Sequence, residues 1–162
     1  MKKRSALFFA LVCSLCLFMF GCSHDIVDDP ADKFRGYWEC VKLQMDGEVY
    51  ENTYFDEDAQ LELPVYSLYA FAFADDGSGY LAEPFYKLYS NEEVKEAFTW
   101  KEENGGITVY GSNDTSIPLE YTDGQLIMSI DENMKMWFSK VDKLTEFVPE
   151  DWTKEREDAG NE

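Results

Sequence analysis

Histidine, cysteine and paired carboxylates are the side chains through which this 162-residue chain could do acid–base, nucleophilic or metal chemistry. Their placement argues against most of it. The single histidine, His24, sits in a short polar stretch (23–33) ahead of the first strongly patterned segment. A Ser/His/Asp or Cys/His system therefore has no base inside the domain, and a zinc or haem site built on histidine is equally unsupported. Carboxylates are abundant, with 33 Asp and Glu, but a glycosidase needs two at a set separation across a cleft and abundance picks out no pair. Asp75-Asp76-Gly77-Ser78-Gly79 starts like a calcium loop but lacks the later acidic ligands, so it is expected to be a turn. Asp56-Glu57-Asp58 is an acidic loop, and Gly105-Gly106 lacks the strand–loop–helix setting of a phosphate cradle. The expectation is a protein that is not an enzyme and carries no metal or cofactor.

What remains is apolar contact. Trp38, Tyr69, Phe71, Phe73, Phe98, Trp100, Met128, Met134, Met136 and Phe138 all fall on strand-like segments, with 22 aromatic residues in the chain after residue 21. Such a set either fills a core or lines a pocket that flexible methionines can adjust to a small ligand. Sequence leaves that choice open.

From Phe34 to about Val141 the chain is β-like, with turn signals at short intervals. Phe34–Leu43 reads as a first strand, Asp46-Gly47 as a hairpin turn, and Glu48–Phe55 as a second strand. Tyr66–Ala74 is apolar on both faces, so it is expected to be covered on both. Gly79–Glu83 and Phe85–Tyr89 continue as strand around Pro84. Ser90-Asn91-Glu92-Glu93 has the spacing of a capping box and predicts a short helix over 91–97. Phe98–Glu102, Ile107–Gly111, Thr115–Tyr121, Gln125–Ile130 and Met134–Phe138 follow as strands joined by Asn104-Gly105-Gly106, Asp123-Gly124 and Asp131-Glu132-Asn133. Pro118 suggests a weak or edge position. No βαβ period occurs. The fold class is all-β: an antiparallel up-and-down meander with one short helix, closing into a small eight-stranded barrel because closure removes exposed edges.

Ahead of this domain, Met1–Arg4 is basic, Ser5–Phe20 is an apolar run without a charge, and a polar acidic stretch follows. That is the three-part pattern of a secretory signal. Gly21 directly before Cys22 resembles a bacterial lipoprotein signal, although Met19 and Phe20 depart from the family's branched and small residues at those positions. The resemblance implies cleavage after residue 21, lipidation of Cys22, and a membrane partner reached through that lipid, since more than one acyl chain makes a stable anchor. Asp25, Asp28 and Asp29 loosely resemble the surface-export signal of Bacteroidetes lipoproteins and equally fit a solvated tether. The implied location is the outer membrane, facing the periplasm or the cell surface. Losing residues 1–21 removes three of 14 basic residues and no acidic one, which leaves a formal net charge of −22. That charge repels nucleic acid and anionic lipid surfaces. Cys40 is then the lone remaining thiol, expected to be a buried apolar residue.

Gly36-Tyr37-Trp38 has the Gly-x-Trp spacing that opens lipocalins, where the Trp plugs the base of an eight-stranded barrel, and Lys140 is the candidate for the basic residue that packs on it. Asp76-Gly77 and Phe98-Thr99-Trp100 extend the likeness to the lipocalin-like lipoproteins of Bacteroidetes. The organisation expected is a signal peptide (1–21), an acidic tether (22–33), a lipocalin-like barrel (34–148) and a charged tail (149–162). Two functions follow. One is a lipid-anchored barrel binding a small apolar or amphiphilic ligand through the aromatic and methionine set. The other is a solid-core envelope module binding a protein or glycan on its outer face, motivated by the two-faced strand Tyr66–Ala74.

Overall fold

A computed structural model describes residues 29–152 apart from Asn91 and Asn113. The signal run, Cys22, His24 and the tail after Trp152 lie outside the described residues. The chain divides into two units, Met1–Pro30 and Ala31–Glu162, and the second contains the barrel.

Among the described residues, eleven strands form. They are β1 (Gly36–Met45), β2 (Glu48–Tyr50), β3 (Thr53–Asp56), β4 (Leu61–Pro64), β5 (Ala70–Phe73), β6 (Ser78–Glu83), β7 (Val94–Glu103), β8 (Gly106–Tyr110), β9 (Ser116–Thr122), β10 (Gln125–Ser129) and β11 (Met134–Val141). β1 and β5–β11 pair each with the next, all antiparallel, and β11 returns to β1 over Tyr37↔Val141 to Met45↔Met134. The result is a closed eight-stranded up-and-down barrel, as the meander predicts. β2 adds to the upper part of β1, while β3 and β4 form a separate hairpin.

Gly36 sits at φ +107°, a conformation that L side chains rarely adopt, and it starts β1 with Trp38 directed inward. The Trp38 indole donates to the Phe34 carbonyl at 2.7 Å. Trp38 and Phe34 both meet Tyr121 edge-on, at 6.4 and 5.1 Å between ring centroids. Lys140 stands opposite Trp38 in the register, and its ammonium donates to the Lys33 carbonyl at 3.2 Å. These groups close one end. Above them Phe71 packs on Phe73, Phe98 and Phe138, and Phe73 meets Trp100 at 5.4 Å.

Several sequence-based expectations are corrected. The helix predicted over 91–97 is not there: Val94–Ala97 belong to β7, paired with β6, and helical structure comes earlier, as a 3-10 turn at Pro84–Tyr86 and a short α-helix, α1, at Lys87–Ser90. Pro84 stands at the first helical position, where its fixed φ suits a helix start. Ser90 is therefore at the helix end, and its hydroxyl donates back to the Tyr86 carbonyl. Phe85–Tyr89 is accordingly not strand. The span Glu48–Phe55 breaks into β2 and β3, and β4, where Leu61 and Leu63 flank Glu62, answers β3. Tyr66–Ala74 yields only the four-residue β5, because Val65–Ser67 winds into a 3-10 turn. Pro118 lies in an interior strand rather than at an edge. β9 pairs with β8 through Ser116, but its ladder with β10 ends at Leu119, so the proline has no bond to lose on that side.

Both faces of β5 are buried, as expected. Phe71 and Phe73 point inward. Ala70 and Ala72, with Ala82 of β6, face outward and are still buried, and the segment after β11 returns to Glu39, the residue opposite Ala70 in the register. Phe147 of that segment is buried, its carbonyl accepts from Lys87 at 3.4 Å, and Glu39 accepts from both the Thr145 amide and its hydroxyl.

Candidate functional site

The interior is filled along part of its length only. Strand register sets the depth of each inward side chain: Phe34, Trp38, Trp100 and Tyr121 lie towards the closed end, Met45, Glu83 and Met134 towards the other. Of the aromatic and methionine set, Trp38, Phe71, Phe73, Phe98, Trp100 and Phe138 form the packed plug. Met128 and Met136, buried in the same cluster, and Tyr69 and Met134, packed against it, also line two clefts at the open end.

The first cleft, about 500 Å³, is lined by Tyr69, Leu81, Glu83, Ile117, Met128 and Ile130 with the flanking residues of β9 and β10. It spans the lumen from β6 to β9, and it exists because β9 and β10 part beyond Leu119. Pro118 thus shapes the mouth by ending a ladder. Glu83 is the acidic group here. Burial raises its pKa, and the neighbouring negative charge of Glu96 adds to the shift. Burial likewise raises the pKa of Tyr69, with Glu83 contributing.

The second cleft, about 580 Å³, lies beside the first, since Met136 on its wall pairs directly with Met128 of the other. Leu43, Met45, Met134 and Met136 supply an apolar floor, Tyr50, Tyr54 and Leu68 a side wall, and Asp46, Asp56, Glu57 and Asp58 an acidic rim. The β3–β4 hairpin brings Tyr54 and the acidic loop here, beside the place where β1 leaves β5. At that point the pairing of β1 shifts register between Cys40 and Lys42. Cys40 is buried and free, and burial pushes its thiol pKa up to about 12, against a weaker opposing effect of the Lys42 backbone. It is an apolar wall residue rather than a nucleophile.

Among the described residues, no group of three His, Cys, Asp or Glu is arranged to hold a metal ion, and no helix is long and apolar enough to cross a membrane. Sequence reasoning missed Tyr54, Leu81, Glu83 and Ile117. Alternation in β6 and β9 assigns Leu81, Glu83 and Ile117 to a face; their depth along the barrel follows only from register. Outside the barrel, Phe85, Tyr86 and Tyr89 form a cluster, with Phe85 and Tyr86 4.6 Å apart and both tyrosines exposed.

A closed eight-stranded meander with a Gly-x-Trp plug at one end and an open mouth at the other is a lipocalin-like barrel. No family model matches the chain, and no curated protein does. Among solved structures, the chain is similar to a lipocalin-like protein from Bacteroides uniformis, at 12% identity and a TM-score of 0.44, over 67% of this chain and 99% of that one.

Proposed function

We propose that this chain is a lipid-anchored, non-catalytic protein of the cell envelope whose barrel holds a small apolar or amphiphilic molecule at its open end. The observation that carries the ligand half is the uneven filling of the lumen. Aromatic rings pack one end, while methionine and tyrosine line clefts of about 580 and 500 Å³ at the other. Those sizes fall in the range of small-molecule sites. The anchoring half rests on the apolar run Ser5–Phe20 and on Cys22, the residue that would carry palmitate or a similar acyl chain. Removal of 1–21 as a signal peptide and an outer-membrane location, facing the periplasm or the surface, belong to the same reading. The absence of histidine beyond residue 24 supports a binding role over catalysis.

Native mass spectrometry of protein purified from its own envelope, wild type beside Cys22→Ala, tests both halves. The wild type is expected in the membrane fraction with a lipid-sized mass added and a second, non-covalent molecule retained. Unchanged membrane fractionation of Cys22→Ala would defeat the anchor. Loss of any non-covalent mass under gentle desolvation would defeat the ligand.

A second reading, a module binding a protein or glycan on its outer face, loses the support of the Tyr66–Ala74 strand, whose outer face the chain covers itself. It keeps one observation in its favour, the exposed Tyr86 and Tyr89 beside Phe85, since ring clusters of this kind suit sugar or side-chain stacking.

A further inference from the structure

Tyr54 is 5% exposed, and in the described structure its hydroxyl has no hydrogen-bond partner. Leaving a buried hydroxyl unpaired costs its desolvation, so such a group in a native fold calls for a reason. Tyr54 is among the residues that line the larger cleft, and Asp56, Tyr89, Cys40 and Tyr69 all lie close enough to its hydroxyl to disfavour its ionisation. Burial is the main cause of that raised pKa, so the phenol stays protonated and acts as a donor. An apolar floor of Leu43, Met45 and Met134 lies on one side of the cleft and the carboxylates Asp56 and Asp58 on its rim, with no Lys, Arg or His on its lining. An anionic head group entering there would be repelled; an uncharged oxygen would not.

We propose that this cleft takes a neutral amphiphile, its aliphatic part against Leu43 and the methionines and an uncharged oxygen, such as an ester or ketone carbonyl, accepting a hydrogen bond from the Tyr54 hydroxyl. The proposal rests on the reading that the barrel mouth holds a ligand, and it adds the ligand's chemistry and the residue that recognises it.

Displacement of the neutral fluorophore N-phenyl-1-naphthylamine tests it, using the full-length chain with Cys22→Ala so that no attached lipid competes. Methyl decanoate, decane and decanoate serve as competitors, each against Tyr54 and Tyr54→Phe, which keeps the ring and removes the hydroxyl. Tyr54→Phe is expected to weaken methyl decanoate roughly three- to tenfold, the worth of one hydrogen bond, and to leave decane unchanged. Decanoate is expected to compete less well than its ester. Equal shifts for ester and decane, no shift for either, or decanoate competing as well as the ester would overturn the proposal. If the fluorophore shows no saturable binding at all, the mouth-binding reading itself falls. The variant carries its own control for folding. With an unpaired hydroxyl removed, the thermal midpoint of Tyr54→Phe without ligand is expected to hold or rise, whereas a fall would mean that the hydroxyl has a partner within the chain.

Discussion

Gly79 occupies the point where β5, β6 and β7 come closest. It pairs with Phe73 on one side and Phe98 on the other, and a Cβ built on it would run into the Phe98 ring and the Ala72 carbonyl oxygen. Neither obstacle gives way easily, because the ring is held by Phe71 and Phe73 and the carbonyl belongs to the backbone of β5. Gly79→Ala is therefore expected to cost about 2 kcal/mol or more, at the upper part of the range for overpacking. Urea unfolding checks this: the midpoint should fall while the slope stays constant. An unchanged midpoint would mean that Phe98 has another rotamer available. In the sequence, Gly79 reads only as the residue after an Asp-Gly turn. Its role comes from a ring on a neighbouring strand, and local pattern does not contain that. The same limit hid Tyr54. Glu48–Phe55 reads as one continuous strand until its break at Glu51-Asn52 hands Tyr54 to a different sheet. Trp38, by contrast, was legible, because Gly-x-Trp states both the backbone conformation and the bulky plug.

At the scale of elements, the segment after β11 works as a strap. It is held beside β5 through Glu39, the residue opposite Ala70 in the register, and Phe147 is its buried anchor. The Glu39 carboxylate fixes the strap's course through the Thr145 amide and hydroxyl. Phe147→Ala is expected to lower stability by about 3–5 kcal/mol, the usual cost of emptying a buried phenylalanine site. Because the strap lies outside the barrel, binding at the mouth should survive. Calorimetry or denaturant titration, paired with fluorophore binding, checks both statements, and simultaneous loss of binding would mean that the strap and the barrel form one inseparable unit. The two-faced apolar pattern of β5 made burial on both faces predictable. Which segment of the chain lies beside it was tertiary. The predicted helix at 91–97 failed for a related reason. Ser90 and Glu93 have the right spacing for a cap, but closing the barrel requires Val94–Ala97 to pair with Tyr80–Glu83, and that ladder outweighs local propensity.

For the whole molecule, closure and charge act in opposite directions. Closure leaves the eight barrel strands without an open edge, whereas a formal net charge of −19 for the full chain favours expansion through self-repulsion. The response to pH separates by residue. Glu83 has a folded-state pKa raised by burial and then by Glu96, so its contribution is complete below the unfolded value, about 4.3, and is lost as pH rises through the folded one. Asp76 and Glu103 shift the other way. Ser78 holds the Asp76 carboxylate through its amide and hydroxyl, and Tyr110 donates to Glu103 at 2.8 Å; both pKa values are lowered, so their contributions are present above the unfolded values and are lost as pH falls through the folded ones. The two windows do not overlap. Stability is expected to rise as pH falls from neutrality towards the unfolded carboxylate value of about 4.3, as Glu83 takes up its proton and the repulsion relaxes, and to decline below it. Glu83→Gln should remove part of the rise, being more stable than wild type at pH 7 and similar to it near pH 4. Thermal midpoints measured across this range for both proteins decide the matter. A wild-type midpoint that falls steadily from pH 7 to 5, or a Glu83→Gln profile parallel to it, would mean that Glu83 titrates like a solvated carboxylate and that the cleft around it is open to water.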